Sequence, residues 1–348
     1  VTADVVSYEF TDVGPGDYCV TADGPAGFEL SVGADGQSSP YCFTLLMGQS
    51  ESDADFGFYE PATTLGAPFD CNGSIYQIAR FSNAAGQFTE PSVLFSLEVE
   101  NGIYVYSDLA QAPFNDLFNS LAFNVFDGFL YATSNGSPSN ASNVDEIFRI
   151  GSDGTFANLG SPVSATDPTV VWDSDASTIA TADGDGNYYV LAHSALNDGN
   201  LVLFKVDLEP ASRGEPVTFE TLQSYTFSNQ DFRDFSFDPV TRNLFAVGNR
   251  SRNLLSIDLN DPTYAIVSQT LTGDETGSST GATWFNALGE LFVFSNDGVI
   301  YKVDINALTI ERFGAGIGPT TQNDGASCAF RPGFSKSVDA REHLPDQV

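Results

Sequence analysis

The stretch NDGASCAF, residues 323–330, carries one of only four cysteines in a chain of 348 residues. The other three, Cys19, Cys42 and Cys71, lie in the first fifth of the sequence. A cysteine so far from the others raises the question of what this final stretch pairs with. The internal repeats of the chain supply an answer.

The middle of the chain repeats a unit of two short alternating strands joined by a polar turn. One copy is GELFVFSN followed by GVIYKVDI, at residues 289–296 and 298–305. The second strand of each copy recurs at a spacing of roughly 46 to 56 residues, at Phe95, Phe148, Phe204, Leu255 and Tyr301. That spacing is the length of one four-stranded blade of a β-propeller.

Each copy is flanked by further strand patterns. We predict the innermost strand of a blade in LAFNVFDG, TVVWDSDAS, DFSFDPVT and GATWFNALG, and a fourth strand downstream of each copy. Period-2 alternation, frequent Gly, Asp and Asn turns and the lack of a helical periodicity indicate an all-β fold. We therefore predict a five-bladed propeller over residues 71–331, with six blades as the alternative count.

The blade that begins at Cys71 lacks an innermost strand, whereas NDGASCAF has no blade of its own. We predict that this stretch fills the gap, so that N- and C-terminal strands pair and close the ring. A Cys71–Cys328 disulfide would close a loop of more than 250 residues. The chain-entropy model values such a cross-link at roughly 4–5 kcal/mol. Two unpaired thiols are the alternative.

The first 60 residues have a different pattern. Short alternating strands such as DYCVTA and YCFTLL are separated by PG, DG and PAG turns, and we expect Cys19 to pair with Cys42. Residues 61–70 form a Pro-bearing linker, and residues 332–348 a polar tail. The opening residues VTADVVSYEF are typical of the middle of a strand, so we expect the chain to be part of a larger protein.

The composition excludes several classes of partner. The chain carries 46 acidic and 13 basic residues, a formal charge of -33. Nucleic acids and anionic membrane surfaces are recognised by Lys/Arg patches, which this sequence lacks. No apolar run is long enough to span a membrane. We interpret the spread of acidic residues as a solvated surface, with cation bridging to a surface or glycan as the alternative.

Catalytic and metal-binding motifs are scarce. The two histidines, His193 and His343, give little support to a His-based dyad or zinc site, and no CxxC, GxSxG or P-loop occurs. ADGDGNY, residues 182–188, has the start of a calcium loop in Asp183, Asp185 and Asn187 but lacks its distal Glu. A tight hairpin turn explains these residues equally well. We predict no enzyme activity and no cofactor, with calcium as the alternative.

Four Asn-x-Ser sequons are candidates for glycosylation: Asn72, Asn135, Asn140 and Asn249. Asn140 is the best of these because it lies in the longest polar insertion, NGSPSNASNVD. Trp172 and Trp284 fall on predicted innermost strands, where we expect them to pack between blades rather than line a sugar pocket.

The N-terminal segment resembles the back half of an SdrD-like B domain, a prealbumin-like β-sandwich of cell-surface adhesins. The resemblance rests on YEFTDVGPGDYCV, PAGFEL and DADFGF. The front half of the sandwich is absent, so the resemblance implies a partial module. Its uncovered edge would recruit a strand, either from its own upstream sequence or from a neighbouring subunit in a head-to-tail polymer joined through residues 1–60.

The remainder, from CNGSIYQI to NDGASCAF, resembles an uncharacterised family of secreted propeller domains found in surface proteins. LAFNVFDGFLYA, FRIGSDGTFANLG, DFSFDPVTRNLFAVG and GATWFNALGELFVF carry this resemblance. It implies an extracellular propeller and transfers no catalytic residue. We expect a non-enzymatic structural or adhesive module whose partners are neighbouring subunits, surface proteins or glycans. A glycan-binding lectin and a lyase or hydrolase sited in the channel are the alternatives.

Overall fold

The fold was analysed in a computed structural model of the full chain. The structure describes residues 13–21, 29–31, 41–48, 57–59, 66–81, 91–100, 103–112, 118–137, 140–167, 172, 179–193, 201–208, 216–225, 233–248, 252–320 and 322–328. These residues form strands β1 to β26 and no helix. The chain divides into two compact units, residues 1–62 and 63–348.

The first unit contains two short antiparallel pairings. Strand β1 (Gly16–Val20) pairs with β3 (Tyr41–Leu45), and β2 (Glu29–Ser31) pairs with β4 (Gly57–Tyr59). Cys19 and Cys42 lie directly opposite each other on β1 and β3, and a disulfide joins them, as the sequence predicts. Two separate two-stranded sheets do not establish the predicted sandwich, which stays a prediction. VSYEF and DADF, residues 6–10 and 53–56, lie outside the described residues.

The second unit contains the five blades of the predicted propeller. Each blade is an antiparallel sheet of four strands, numbered here from the ring centre outward. Blade 1 is β26 (Gln322–Ser327), β5 (Ile75–Arg80), β6 (Val93–Glu100) and β7 (Ile103–Gln111). Blade 2 is β8 (Phe118–Asn124), β9 (Phe129–Ser137), β10 (Asn140–Ile150) and β11 (Phe156–Gly160). Neighbouring innermost strands contact each other around the ring.

The three remaining blades repeat this order. Blade 3 is β13 (Ile179–Ala182), β14 (Asn187–His193), β15 (Leu201–Asp207) and β16 (Thr218–Tyr225). Blade 4 is β17 (Ser236–Asp238), β18 (Asn243–Val247), β19 (Asn253–Asp258) and β20 (Ile266–Thr270). Blade 5 is β22 (Thr280–Phe285), β23 (Leu291–Ser295), β24 (Val299–Asp304) and β25 (Thr309–Ala315). Two short strands, β12 (Val163–Ser164) and β21 (Thr272–Gly273), add parallel to the outer edges of blades 3 and 5.

The core lies between neighbouring blades. Both faces of the inner strands are buried, as the nearly continuous apolar run Leu291–Ser295 illustrates. Ile75–Arg80 is buried along its whole length as well, including its polar residues Gln77 and Arg80. Trp284 on β22 is fully buried in this core, as predicted. Trp172 is buried against Phe204 and Phe219. Its predicted place on an innermost strand is wrong, because β13 begins only at Ile179.

The ring closes as the sequence predicts. Strand β26 pairs antiparallel with β5 across the whole of Gln322–Ser327. The Cys71–Cys328 disulfide lies at the end of this pairing, with the two Cα atoms 5.4 Å apart. In the other four blades a tight turn joins the corresponding two strands: residues 125–128, 183–186, 239–242 and 286–290. The disulfide therefore takes the place of a hairpin turn in blade 1.

The hydrogen bonds at this closure match those of a turn. The N–H of Cys328 donates to the Ser74 carbonyl at 3.1 Å. Two of the turns contain the equivalent bond. The N–H of Asp183 donates to the Asn187 carbonyl at 2.9 Å, and the N–H of Asn286 donates to the Glu290 carbonyl at 3.0 Å. Cys328 thus occupies the position of the turn-forming Asp or Asn in the other blades.

Candidate functional site

Two buried carboxyl groups lie where the innermost strands meet. Asp324 is on β26 of blade 1, and Asp234 precedes β17 of blade 4. Their exposed fractions are 0% and 1%. Acidic side chains are almost never fully buried unless they are paired or hydrogen-bonded. This carboxyl pair is therefore the candidate functional site of the propeller.

Backbone N–H groups of blades 1 and 2 surround Asp324. Its Oδ1 accepts a hydrogen bond from the N–H of Gly325 at 2.7 Å. The N–H groups of Ser120 and Leu121 on β8 also donate to this carboxyl group. They are free to do so because the pairing of β8 with β9 is interrupted there and Ser120 has a φ of 59°. The backbone irregularity in β8 serves to bind Asp324.

Asp234 is bound by blades 4 and 5. Its Oδ1 accepts a hydrogen bond from the N–H of Phe235 at 2.7 Å, and its Oδ2 accepts one from the N–H of Thr283 on β22. Blade 3 completes the site through Tyr188 on β14, whose hydroxyl donates to the Ser120 carbonyl at 2.5 Å. All five blades thus contribute to one hydrogen-bonded cluster.

The electrostatics of the pair follow from its burial. Desolvation raises the pKa of Asp234 well above its usual value, and the charge of Asp324 raises it further. Desolvation also raises the pKa of Asp324, against the lowering effect of its hydrogen bonds with Asp234 and the N–H groups. Burial, followed by the charges of Asp324 and Asp234, raises the pKa of Tyr188. The site therefore favours a protonated form of the pair.

A second polar cluster joins blades 1 and 5. The Gln77 amide donates to Asn323 Oδ1 at 3.2 Å, and the Asn323 amide donates to Thr320 Oγ1 at 2.8 Å and to Asn296 Oδ1. Gln77 and Asn323 lie on the paired strands β5 and β26. These bonds fix the ring-closing strand to the neighbouring blade.

The calcium candidate of the sequence is a hairpin turn in the structure. Asp183 Oδ1 accepts hydrogen bonds from the N–H groups of Asp185 and Asn187 at 2.9 and 3.0 Å, and the Asn187 amide donates to both carboxylate oxygens. The guanidinium of Arg242 lies 3.6 Å from Asp183 and 3.3 Å from Asp185. A fixed cation of the protein thus already compensates these two carboxylates.

The same turn occurs in other blades. In the turn between the first and second strands of blades 2 to 5, an Asp or Asn side chain accepts a hydrogen bond from the N–H two residues later: Asn124, Asp183, Asp238 and Asn286. The Asp-x-Asp-x-Asn spacing is accounted for by this turn. Within the described ranges, no group of three or more His, Cys, Asp or Glu is placed to hold a metal ion. Calcium binding stays an untested prediction.

The sequons lie in different settings. Asn72 is exposed, and its Oδ1 accepts hydrogen bonds from the N–H and hydroxyl of Ser74. Asn135 lies on β9 and Asn140 begins β10, so the described residues of the polar insertion, 135–137 and 140–145, belong to these two strands. Asn249 lies outside the described residues. Use of the sequons stays a prediction.

Sequence reasoning did not find the carboxyl pair. With 46 acidic residues in the chain, no pair is distinguished by spacing. The available signal was an aspartate at the start of an innermost strand, in RDFSF for Asp234 and in NDGAS for Asp324. Neither segment indicates its partner, because the two residues meet only when the ring is closed.

No curated protein matches the chain. Among solved structures, a chain of a nidogen/laminin complex is similar at 13% identity with a TM-score of 0.44, covering 75% of this chain and 100% of that chain. A protein of unknown function from Bacteroides caccae is similar at 14% identity with a TM-score of 0.38, covering 69% of this chain and 73% of that chain.

No helix in the described part of the chain is long and apolar enough to cross a membrane. The model of one family, described as a repeat of unknown function (DUF6923), matches residues 81–330. This range runs from the end of β5 to just beyond β26 and so contains nearly the whole ring. The chain therefore belongs to the DUF6923 repeat family.

Proposed function

We propose that this chain is an extracellular, non-enzymatic structural or adhesive module of a cell-surface or filament protein. In this proposal the propeller is a rigid disc that offers its surface to neighbouring subunits, surface proteins or glycans. Two disulfides support an oxidising compartment, because such bonds are rare in reducing ones. The acidic charge of -33 keeps such a module soluble.

The observation that carries this proposal is the covalent path between the two ends of the propeller. The chain enters the ring at Cys71 and leaves it at Cys328, and the disulfide joins these residues directly. A pulling force along the chain passes from residue 71 to residue 328 through the disulfide. The blades lie outside that path, so tension on a surface stalk or filament would not unfold them.

The carboxyl pair is consistent with the same role. Asp234 and Asp324 are withdrawn from solvent, and their oxygens accept hydrogen bonds from backbone N–H groups of neighbouring blades, Thr283 of blade 5 and Ser120 and Leu121 of blade 2. An acid–base pair that acts on a substrate has to reach it. Here the carboxyl groups link blades to one another, which supports a structural role for the centre of the ring.

Single-molecule force spectroscopy tests the proposal on the full chain, held at its two ends. With the disulfide intact, the propeller should contribute almost no length when the chain is stretched. After reduction, and in the C71S/C328S variant, the 257-residue separation should release about 900 Å of additional contour length at ~3.5 Å per residue. Release of that length from the oxidised protein would contradict the covalent path.

Location is tested separately in the source organism. Antibodies against the chain should bind intact cells or isolated filaments, and external protease should remove the signal. Detection of the chain only inside cells, with its four cysteines reduced, would contradict the proposal whatever the stretching experiment shows.

A further inference from the structure

We propose that Asp234 and Asp324 form a proton-dependent latch on the ring. One proton shared between the two carboxyl groups holds the closing strand β26 to blade 4, and loss of that proton at higher pH loosens the closure. The proposal concerns the stability of the ring and is independent of the function proposed above.

The geometry requires the proton. The two carboxyl groups are held by adjacent backbone groups: Thr283 N–H donates to Asp234 and Gly325 N–H donates to Asp324, and a Cβ at Gly325 would lie only 3.3 Å from Thr283 N. The two carboxyl groups interact with each other there. Two deprotonated carboxylates have no hydrogen to place between them, and like charges at such a distance repel. Oδ2 of Asp324 is buried and receives no N–H or O–H donor from the described residues. A proton on the pair supplies the missing hydrogen.

The groups that donate hydrogen bonds to the pair are uncharged. Blades 1, 2 and 5 present neutral backbone N–H groups to the pair, from Gly325, Ser120, Leu121 and Thr283. Strand β14 of blade 3 presents the buried Tyr188, which interacts electrostatically with both aspartates.

Strand β5 of blade 1 carries the buried cation Arg80, which lies opposite Gln322 and therefore on the same face of the blade as Asp324. Strand β13 of blade 3 presents the uncharged segment Ile179–Ala182. Arg233, next to Asp234 in the sequence, is exposed. Ionisation of both aspartates would therefore place two negative charges inside the ring, and the single charge of Arg80 could compensate only one of them.

The latch lies at one end of β26 and the disulfide follows the other. Asp324 is the third residue of this strand, and Cys328 follows its last residue. Ionisation of the pair should loosen the Gln322–Asp324 end, whereas the disulfide keeps the far end attached at every pH. The expected response is a local opening between blades 1 and 4 rather than release of the strand.

The direction of the pH effect follows from linkage. A carboxyl pair with a raised pKa binds more protons in the folded state than in the unfolded state. The stabilisation of the folded state by this pair is complete below the ordinary carboxyl pKa of ~4. It is lost as the pH rises through the pKa of the pair in the folded state. In that interval the equilibrium constant for unfolding rises about tenfold per pH unit for one retained proton.

Carboxylates with lowered pKa values act in the opposite direction. Hydrogen bonds lower the pKa of Asp153, Asp261, Asp304 and Glu290. Their stabilisation is present above their unfolded pKa values and is lost as the pH falls, so it is complete above pH ~5.5. Measurements above this pH isolate the carboxyl pair from them.

The D324N variant of the full chain tests the latch. An asparagine amide can donate to Asp234 without a titrating proton, while its Oδ1 keeps the bonds from the N–H groups. Urea unfolding of the wild type between about pH 5.5 and 8 should show the pH-dependent loss of stability. In D324N the rise of the equilibrium constant for unfolding with pH should be smaller by the contribution of one proton, which is a factor of about ten per pH unit. The control D108N removes an exposed aspartate of β7 and should keep the wild-type slope.

Two further measurements keep the test decisive if D324N does not fold. D234N should remove the same one-proton contribution to the pH dependence of the unfolding equilibrium. Infrared spectra of the folded wild type should show a protonated carboxyl band that persists above pH ~6, where ordinary carboxyl groups are ionised. Equal slopes in the wild type and either variant, or complete ionisation of the carboxyl groups of the wild type by pH ~6, would overturn the proposal.

Discussion

Removal of the ring-closing disulfide gives the most direct test of how this propeller is held together. The perturbation is reduction of the Cys71–Cys328 bond, or its replacement in the C71A/C328A variant. The bond joins residues separated by 257 positions, and the chain-entropy model gives about 5 kcal/mol for a loop of that size. Folded domains are stable by only ~5–15 kcal/mol, so the loss would be a large part of the total.

The expected result is a rise of roughly 5,000-fold in the equilibrium constant for unfolding, at 1.36 kcal/mol per factor of ten. Tryptophan fluorescence in urea is a suitable assay. The chain has two tryptophans, Trp172 and Trp284, and both are buried in the propeller. The signal therefore reports this unit alone.

Two controls separate the cross-link from other effects. Reduced wild type keeps both sulfur atoms, so it removes the constraint without the loss of packing around the buried Cys328 that alanine would cause. The C19A/C42A variant removes a disulfide of the first unit, with a separation of 23 residues, and should leave the tryptophan transition unchanged. If the free energies of unfolding of oxidised and reduced wild type differ by less than about 1 kcal/mol, the entropic argument is refuted.

Two further substitutions test the packing and the charges of the ring. G325A on β26 should destabilise the propeller by about 1–3 kcal/mol, because its Cβ would lie 3.0–3.1 Å from the side chains of Ala282 and Trp284. G314A, which meets nothing within 4 Å, should change the unfolding free energy by less than ~0.5 kcal/mol; similar losses in both variants would contradict the packing argument. R242Q removes the guanidinium beside the buried Asp183, so added Ca²⁺ should raise the melting temperature of R242Q more than that of the wild type. An equal response of the two proteins to Ca²⁺ would show that Arg242 does not compensate this carboxylate.

The sequence predicted the ring because its signals are local and repeated. Alternating strands recur at the length of a blade, and a first copy without an innermost strand indicated where the stretch at residues 323–330 belongs. The partner of Cys328 followed from that gap, and β26 pairs with β5 as expected. Repeat counting succeeds here because each blade contains the same four strands.

Other features depend on contacts that no local pattern contains. TVVW at residues 169–172 alternates like an innermost strand, but the segment Ile179–Ala182 takes that place. Trp172 still reaches the core through Phe204 and Phe219. The polar residues at the start of β10 lack the alternation that marks a half-buried strand. The pairing of Asp234 with Asp324 exists only in the closed ring, so it was not predictable from spacing.

The replacement of a turn by the Cys71–Cys328 bond also bears on how such a chain could be rearranged. Four blades have a short peptide turn where blade 1 has the disulfide, so a peptide linker between residues 71 and 328 would make the backbone a closed circle. New termini at residues 125–128 or 239–242 would then give circular permutants with the same five blades in a different order along the gene. The gap between residues 71 and 328 is one of several equivalent places at which the ring could be cut.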